Sequence, residues 1–290
     1  MTLSRCWLLF LLLGAAPVWA NTPATAAVEL HHYDTESIAR LNGGDSDGSA
    51  DIDTNLLLFK ALADAPPVRE MPIARTDWMM TQGLPVCSLN RVKNKTRDAK
   101  FLFSLPVNFY LGYQLYQHAN TDPLPASLLN GKNQIRSLKQ LMQHYPHNQI
   151  VIPKAYSFGD ALDQAVAEIP ARQITAISTS HYYQHFVAMF EAGRADFILL
   201  YPTEIQAYLQ MTPALQVRHY PLAQAQQYTT GHMMCADTIQ TREFVRRVDA
   251  ALRKLYRDPL FIEANSRTLA AAEAAQIRRA IRAQAAAKTH

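Results

Sequence analysis

Apolar residues along this chain follow two rhythms, short continuous runs and longer stretches with helical spacing, and the two alternate from residue 28 onward. Val28-Glu-Leu-His-His-Tyr33 alternates weakly and predicts a first strand. "PVCSLN", "NQIVIPK", "QITAIST", "ADFILLYP" and "TGHMMCAD" are apolar runs bounded by polar or turn residues, the pattern of buried strands. "VREMPIAR" reads as another strand and "GYQLYQH" as an extended aromatic segment. The intervening stretches predict helices: "TNLLLFKALADA", stopped by Pro66-Pro67, and "TDWMMTQG", with Thr76 as its cap and Gly83 at its end. "SLKQLMQHYP", "FGDALDQAVAEIP", "HYYQHFVAMFEAGR" (closed by Gly193) and "TEIQAYLQM" follow. From about Thr241 the pattern is helical to the end, broken at Pro259. The Ala-rich final helix carries Ile277 and Ile281 four apart, an edge suited to packing on the body. Strands alternating with helices of ordinary length predict an α/β protein with mainly parallel sheets.

Residues 1–20 depart from this pattern. Arg5, an apolar run from Cys6 to Leu13 and the triplet Val18-Trp19-Ala20 form a secretory signal peptide, predicted to be cleaved after Ala20. No later run approaches the roughly 18 apolar residues of a membrane span. The remaining 270 residues carry a formal charge of +3, against +4 for the whole chain. That balance is too small and too dispersed for a nucleic-acid partner. Two cysteines remain, Cys87 and Cys235; in an oxidising compartment they make either one disulfide or two buried thiols.

The chemistry that composition and motifs exclude narrows the field. There is no Gly-x-Ser-x-Gly, Walker loop or dinucleotide glycine fingerprint. The loop "NGGDSDGSADID" resembles a calcium loop, but its glycine is at the fourth place and Leu56 stands where a bidentate Glu is needed; a solvated loop is expected. His181 and His185 share a helical face without a glutamate to act as base, and neither His31-His32 nor His144/His147 has a clear third ligand. No catalytic group, metal or cofactor is expected.

Five basic side chains, Arg91, Lys93, Lys95, Arg97 and Lys100, precede an apolar, aromatic run in "NRVKNKTRDAKFLFSLPVNFY". The segment "KTRDAKFLFSLPVNFY" resembles that of bacterial periplasmic solute-binding proteins of the polar amino-acid type, in which a loop arginine precedes a Phe-Ser-x-Pro run. Arg97 followed by Phe103-Ser104-x-Pro106 has that spacing. "QIVIPKAYSFGDALD", "FEAGRADFILLYPTEIQAYL" and "YRDPLF" are similar to later landmarks of the same family and occur in the same order.

The resemblance implies a two-lobed periplasmic-binding fold of type 2. The first lobe would span 21–111 and 229–290 and the second 112–228, with crossings near 110–114 and 226–231. It implies hinge closure on a small carboxylate-bearing, amino-acid-like solute. Arg97 would clamp the carboxylate through paired charge-assisted bonds. Ser157 and the amides of "AYSFGD", at a helix N-terminus, would complete the clamp. Asn90 would add a polar contact, and Tyr33, Trp78, Phe109, Tyr156 and Tyr201 would shape the walls. Tyr201 replaces the acidic residue that holds the ligand ammonium in amino-acid binders. Cys87 and Cys235 would both fall on first-lobe strands, where a disulfide would brace that lobe without blocking closure. The expected partners are the solute and an inner-membrane permease or, alternatively, a sensor protein; the expected state is a monomer. A dehydratase-like enzyme is the least favoured reading.

Overall fold

The computed structural model describes residues 27–154, 156–177 and 182–287; the predicted signal peptide and His181 lie outside them. The chain first builds β1 (Glu29–His32), α1 (Thr35–Gly43), α2 (Ala50–Leu62), β2 (Val68–Glu70), α3 (Ile73–Thr81), β3 (Val86–Val92), the single turn α4 (Lys95–Asp98) and the long β4 (Leu102–Leu111). A second set follows: β5 (Gln114–His118), α5 (Leu138–His144), β6 (Ile150–Pro153), α6 (Asp160–Ala167), β7 (Ile174–Ile177), α7 (Tyr182–Glu191), β8 (Phe197–Leu200), α8 (Pro202–Met211) and β9 (Val217–Pro221). The chain then returns through β10 (Tyr228–Cys235) and ends in α9 (Ile239–Leu255), α10 (Pro259–Ala264) and α11 (Ala271–Ala286).

These elements form two five-stranded sheets, ordered β2-β1-β3-β10-β4 and β7-β6-β8-β5-β9. Each sheet is mixed, which corrects the expectation of mainly parallel sheets. β1 runs parallel to β2 and β3, and β6 parallel to β7 and β8. β10 is antiparallel to both β3 and β4, and β5 to β8 and β9. The physical reason is connectivity. β4 carries the chain out of the first lobe and β10 brings it back, so the two pair in opposite directions. Tyr228 already pairs with Leu111, which puts the second crossing at residues 222–227. The crossings touch: Gly112 N donates to the Gln227 carbonyl at 3.0 Å, and a Cβ at Gly112 would lie 1.9 Å from the Gln226 carbonyl oxygen.

Two large cores lie under these sheets. The first packs Leu30, Leu89 and Phe109 against Val248, Phe261 and Ile277, so the C-terminal helices complete the N-terminal lobe. The second gathers Leu115, Leu141, Ile150, Leu162 and Phe197. Within the first lobe Cys87 and Cys235 face each other in the β3–β10 register and are joined by a disulfide, which settles the choice between a bridge and free thiols.

Local differences from the sequence reading have plain causes. α3 starts at Ile73 after Pro72, so Thr76 is an interior residue; its buried hydroxyl meets His31 Nδ1 at 3.2 Å. The strand before it keeps only three residues. α1 and β9 are additional elements. α2 starts at Ala50, because Ser49 caps it by accepting from Ile52 N. Asp51 and Asp53 are therefore in a helical first turn, where acids favour the dipole, and not in a solvated loop. Asp53 is buried and paired with Arg267 at 2.8 Å.

Candidate functional site

The candidate residues gather between the lobes, where the first sheet's parallel strands end, the usual binding place in open α/β sheets. β3 ends in Asn90-Arg91-Val92. Asn90 has a left-handed φ of 54°, tolerable for Asn, and its side chain turns back to donate to Asp51 Oδ2 at 2.7 Å. Asn55 donates to Asn90 Oδ1 at 2.9 Å and fixes the amide's orientation. Asn94 then caps α4 by accepting from Arg97 N at 2.8 Å.

Arg97, the resemblance's carboxylate clamp, is half-buried on this turn, and its Nη1 donates to the Val92 carbonyl at 3.0 Å. Burial, then the charge of Arg91, lowers its pKa to about 10, against the opposing pull of Asp77, Asp163 and Tyr156. It remains charged near neutrality, held in a poorly hydrated place beside the second lobe. Arg91 itself is buried and paired with Asp77 at 2.9 Å, so it belongs to the scaffold.

The second lobe's half of the predicted clamp is already satisfied. Ser157 Oγ donates to Asp163 Oδ2 at 2.5 Å, and Phe158 N donates to Asp163 Oδ1 at 2.6 Å. A carboxylate from α6 itself thus fills the seat offered to a ligand carboxylate, which corrects the role expected of Ser157. The first lobe reaches the same place: Asn94 Nδ2 donates to Ser157 Oγ at 2.9 Å and to Asp163 Oδ2 at 3.2 Å, while Lys95 N donates to Asp160 Oδ1 at 3.0 Å. Ser157 serves as part of a latch between lobes.

Tyrosines form the walls. Tyr201 is buried and stacks on Tyr113 at 3.9 Å and on Tyr110 at 4.8 Å, joining the second lobe to β4 of the first. Burial pushes the Tyr110, Tyr113 and Tyr201 hydroxyls well above their ordinary range, so all three remain neutral donors. Tyr33 crosses from β1 to pack in the second lobe's cluster with Tyr116, Val151 and Phe186, and Tyr156 borders that cluster too. Beside Tyr113 and Tyr156 lies a pocket of about 10 Å³, also lined by Phe158, Phe186 and Glu204, with room for about one water. Glu204 also accepts from Tyr201 N at 3.3 Å.

Two predicted wall residues are not brought in. Phe109 is in the first lobe's core against Tyr256. Trp78 is 48 % exposed, with the Arg75 guanidinium 4.3 Å from its ring centre. α3 starts earlier than the sequence suggests, so Ile73 faces the Tyr33 cluster and Trp78, five positions on, points away from it.

Asp51 was missed. One carboxylate oxygen is held by Asn90. Burial, then the charges of Asp47 and Asp34, raises its pKa to about 7. Its charge also reaches the Tyr110 hydroxyl, which responds to Tyr201, Tyr156 and Glu204 as well. Asn90, which holds Asp51, and Val92, whose carbonyl accepts from Arg97, are two residues apart at the end of β3, so both side chains are tied to one strand end. The signal was in the sequence: Ser49 before two acids and an apolar run is a helix N-terminus, not loop chemistry. Among the described residues no group of His, Cys, Asp and Glu could hold a metal ion, and no helix is long and apolar enough to cross a membrane.

No protein-family model and no curated protein sequence matches the chain. Solved structures do match. The arginine-, lysine-, histidine-binding protein ArtJ of Geobacillus stearothermophilus superposes over 83% of this chain and 94% of its own, with TM-score 0.59 and 12% identity. An ancestral arginine-binding protein bound to glutamine covers 83% and 96%, with TM-score 0.57 and 14% identity. A putative L-cystine ABC transporter protein from Listeria monocytogenes covers 85% and 96%, with TM-score 0.56 and 14% identity. The chain has the two-lobed fold of the amino-acid-binding periplasmic proteins.

Proposed function

We propose that the protein is an exported receptor that takes a small zwitterionic, amino-acid-like solute between its lobes and releases it by hinge opening, as the soluble component of an ABC-type importer. The observation that carries this reading is that the end of β3 holds a guanidinium, Arg97 on the Val92 carbonyl, and a carboxyl, Asp51 on the Asn90 amide, both with burial as the main influence on their charge. Arg97 takes the solute's carboxylate; with Phe158 N and the Ser157 hydroxyl committed to Asp163, the rest of that end comes from Asn94 and the tyrosine hydroxyls. Asp51, braced by Asn90, takes the ammonium that an acid at the Tyr201 position takes elsewhere. Tyr33, Tyr110, Tyr113, Tyr156 and Tyr201 enclose the apolar part and present ring faces to the cation. Nothing in this arrangement calls for catalysis, and the protein works as a monomer. The filled seat at Asp163 supports a second reading, in which the same closure is sensed by a membrane signalling partner.

The test is a thermal-shift screen of residues 21–290 against amino acids, their amides and simple carboxylates, with Arg97→Ala alongside. A compound at 100 times its Kd adds about 2.7 kcal/mol to stability. The reading expects an amino acid that stabilises the wild type and not Arg97→Ala. Stabilisation of both proteins by the same carboxylates would remove Arg97 from the site.

A further inference from the structure

Charge is unevenly spread along the chain. Residues 242–290 hold 11 Lys and Arg against 5 Asp and Glu, a surplus of six where the whole chain has four. Four of those arginines are committed: Arg242 to Asp237, Arg246 to Glu243, Arg247 to Asp64 and Arg267 to Asp53. Six others are exposed: Arg253, Lys254 and Arg257 around the end of α9, and Arg278, Arg279 and Arg282 on α11. Among the described residues none of these six has a carboxylate within ion-pair distance. Arg257 donates to the Ala285 carbonyl at 3.4 Å, which joins the two groups into one surface.

Cations at the end of α9 complement its dipole, and that role accounts for three of the six. It does not account for Arg278, Arg279 and Arg282, which lie in the middle of α11. That helix buries Ala274, Ile277, Ala280 and Ile281 against the first lobe, and its outward face carries Arg278, Arg279 and Arg282 among small alanines, with Arg278 also donating to the Ser266 hydroxyl at 3.2 Å. Leu260, 60 % exposed at the start of α10, is the apolar residue near this surface.

We infer that this face docks on anionic phospholipid headgroups. The charges are spread over the end of α9 and the middle of α11, and none of the exposed large apolar residues beside them is an aromatic anchor of the kind a protein interface centres on, while a sheet of headgroups neutralises dispersed charges at once. Gln276 donates to the Gln227 carbonyl at 2.9 Å, so the surface borders the second crossing, and it includes none of the residues of the Asn94–Asp163 latch. A docked molecule keeps its cleft free to open. The inference relies on export only for access to a membrane.

The experiment is co-sedimentation of residues 21–290 with vesicles of phosphatidylcholine, with and without about 30% phosphatidylglycerol, in about 50 mM and 500 mM salt. The wild type is expected to bind the anionic vesicles at low salt, to release at high salt and to ignore pure phosphatidylcholine. Each charge contributes roughly fivefold near such a surface, so Arg278→Gln/Arg279→Gln/Arg282→Gln is expected to bind on the order of a hundredfold more weakly. Its melting temperature should stay within a few degrees, which checks that it folds. No binding by the wild type, equal binding by the variant, or equal binding to neutral vesicles overturns the inference. Tighter binding to polyglutamate than to the vesicles also overturns it and assigns the face to an acidic protein.

Discussion

In the proposed site recognition turns on Asp51 and Arg97, and each has a measurable signature. Asp51 has its pKa raised from 3.8 to about 7 on folding, so the folded state holds the proton more tightly than the unfolded one. Its stabilising effect is complete below about pH 4 and is lost as pH rises through 7. Asp51→Asn should therefore be more stable than wild type at pH 8, by roughly 1–3 kcal/mol after allowing for solvent screening, and equal to it near pH 4. The comparison has to be made against the variant, because three buried histidines act the other way. His31 and His32 are lowered by burial and His232 falls to about 4, so their contribution is present above pH 6.5 and is lost on acidification. Denaturant melts of the two proteins from pH 4 to 8 check this, and parallel profiles would show that Asp51 titrates normally. A cationic ligand group needs the charged carboxylate, so affinity should fall about tenfold from pH 8 to pH 6 in the wild type. At Asp163 the expectation is different. Asp163→Ala vacates the seat on Ser157 N-terminal to α6 and lets a ligand carboxylate use it, so carboxylate affinity should rise or hold, while stability drops by about 1–3 kcal/mol for the unsatisfied donors.

At the scale of elements, the order and type of most strands and helices were legible, because apolar runs such as "ADFILLYP" leave no other place for β8 than a buried sheet. Where the reading failed, neighbouring chain decided the outcome. α2 was read from its apolar residues alone, which hid its cap at Ser49 and moved Asp51 and Asp53 into a loop. Strand direction was read from α/β alternation, which carries no information on the return crossing that makes β10 antiparallel. Trp78 and Phe109 were assigned to the cleft by residue type, and a one-turn error in the start of α3 is enough to turn a side chain from cleft to solvent. The seat at Ser157 was legible but its occupant was not, because Asp163 is six residues away in sequence and comes back to Ser157 only once α6 has formed. The Cys87–Cys235 bridge closes a separation of 148 residues, so removing it with Cys87→Ala/Cys235→Ala should cost about 4–5 kcal/mol in the chain-entropy model. Both cysteines lie in one lobe, so ligand affinity of the folded variant should change less than twofold; a larger loss in calorimetry would tie the bridge to closure.

The whole molecule is two sheets joined at Gly112 and residues 222–227, with a latch of Asn94, Lys95, Ser157, Asp160 and Asp163 across the opening. Gly112→Ala cannot fit beside the Gln226 carbonyl, so the crossings must separate and closure should weaken; small-angle scattering would show a larger radius of gyration with ligand than the wild type has. The most direct measurement is isothermal titration of the best amino acid from the screen, and of its amide, into wild type, Arg97→Ala and Asp51→Asn at pH 8. The account predicts that the wild type prefers the acid to the amide at least tenfold, that Arg97→Ala loses this preference, and that Asp51→Asn weakens both compounds alike. Equal affinities across the three proteins would contradict it, because the solute would then be held without the two charges that the cleft sets apart.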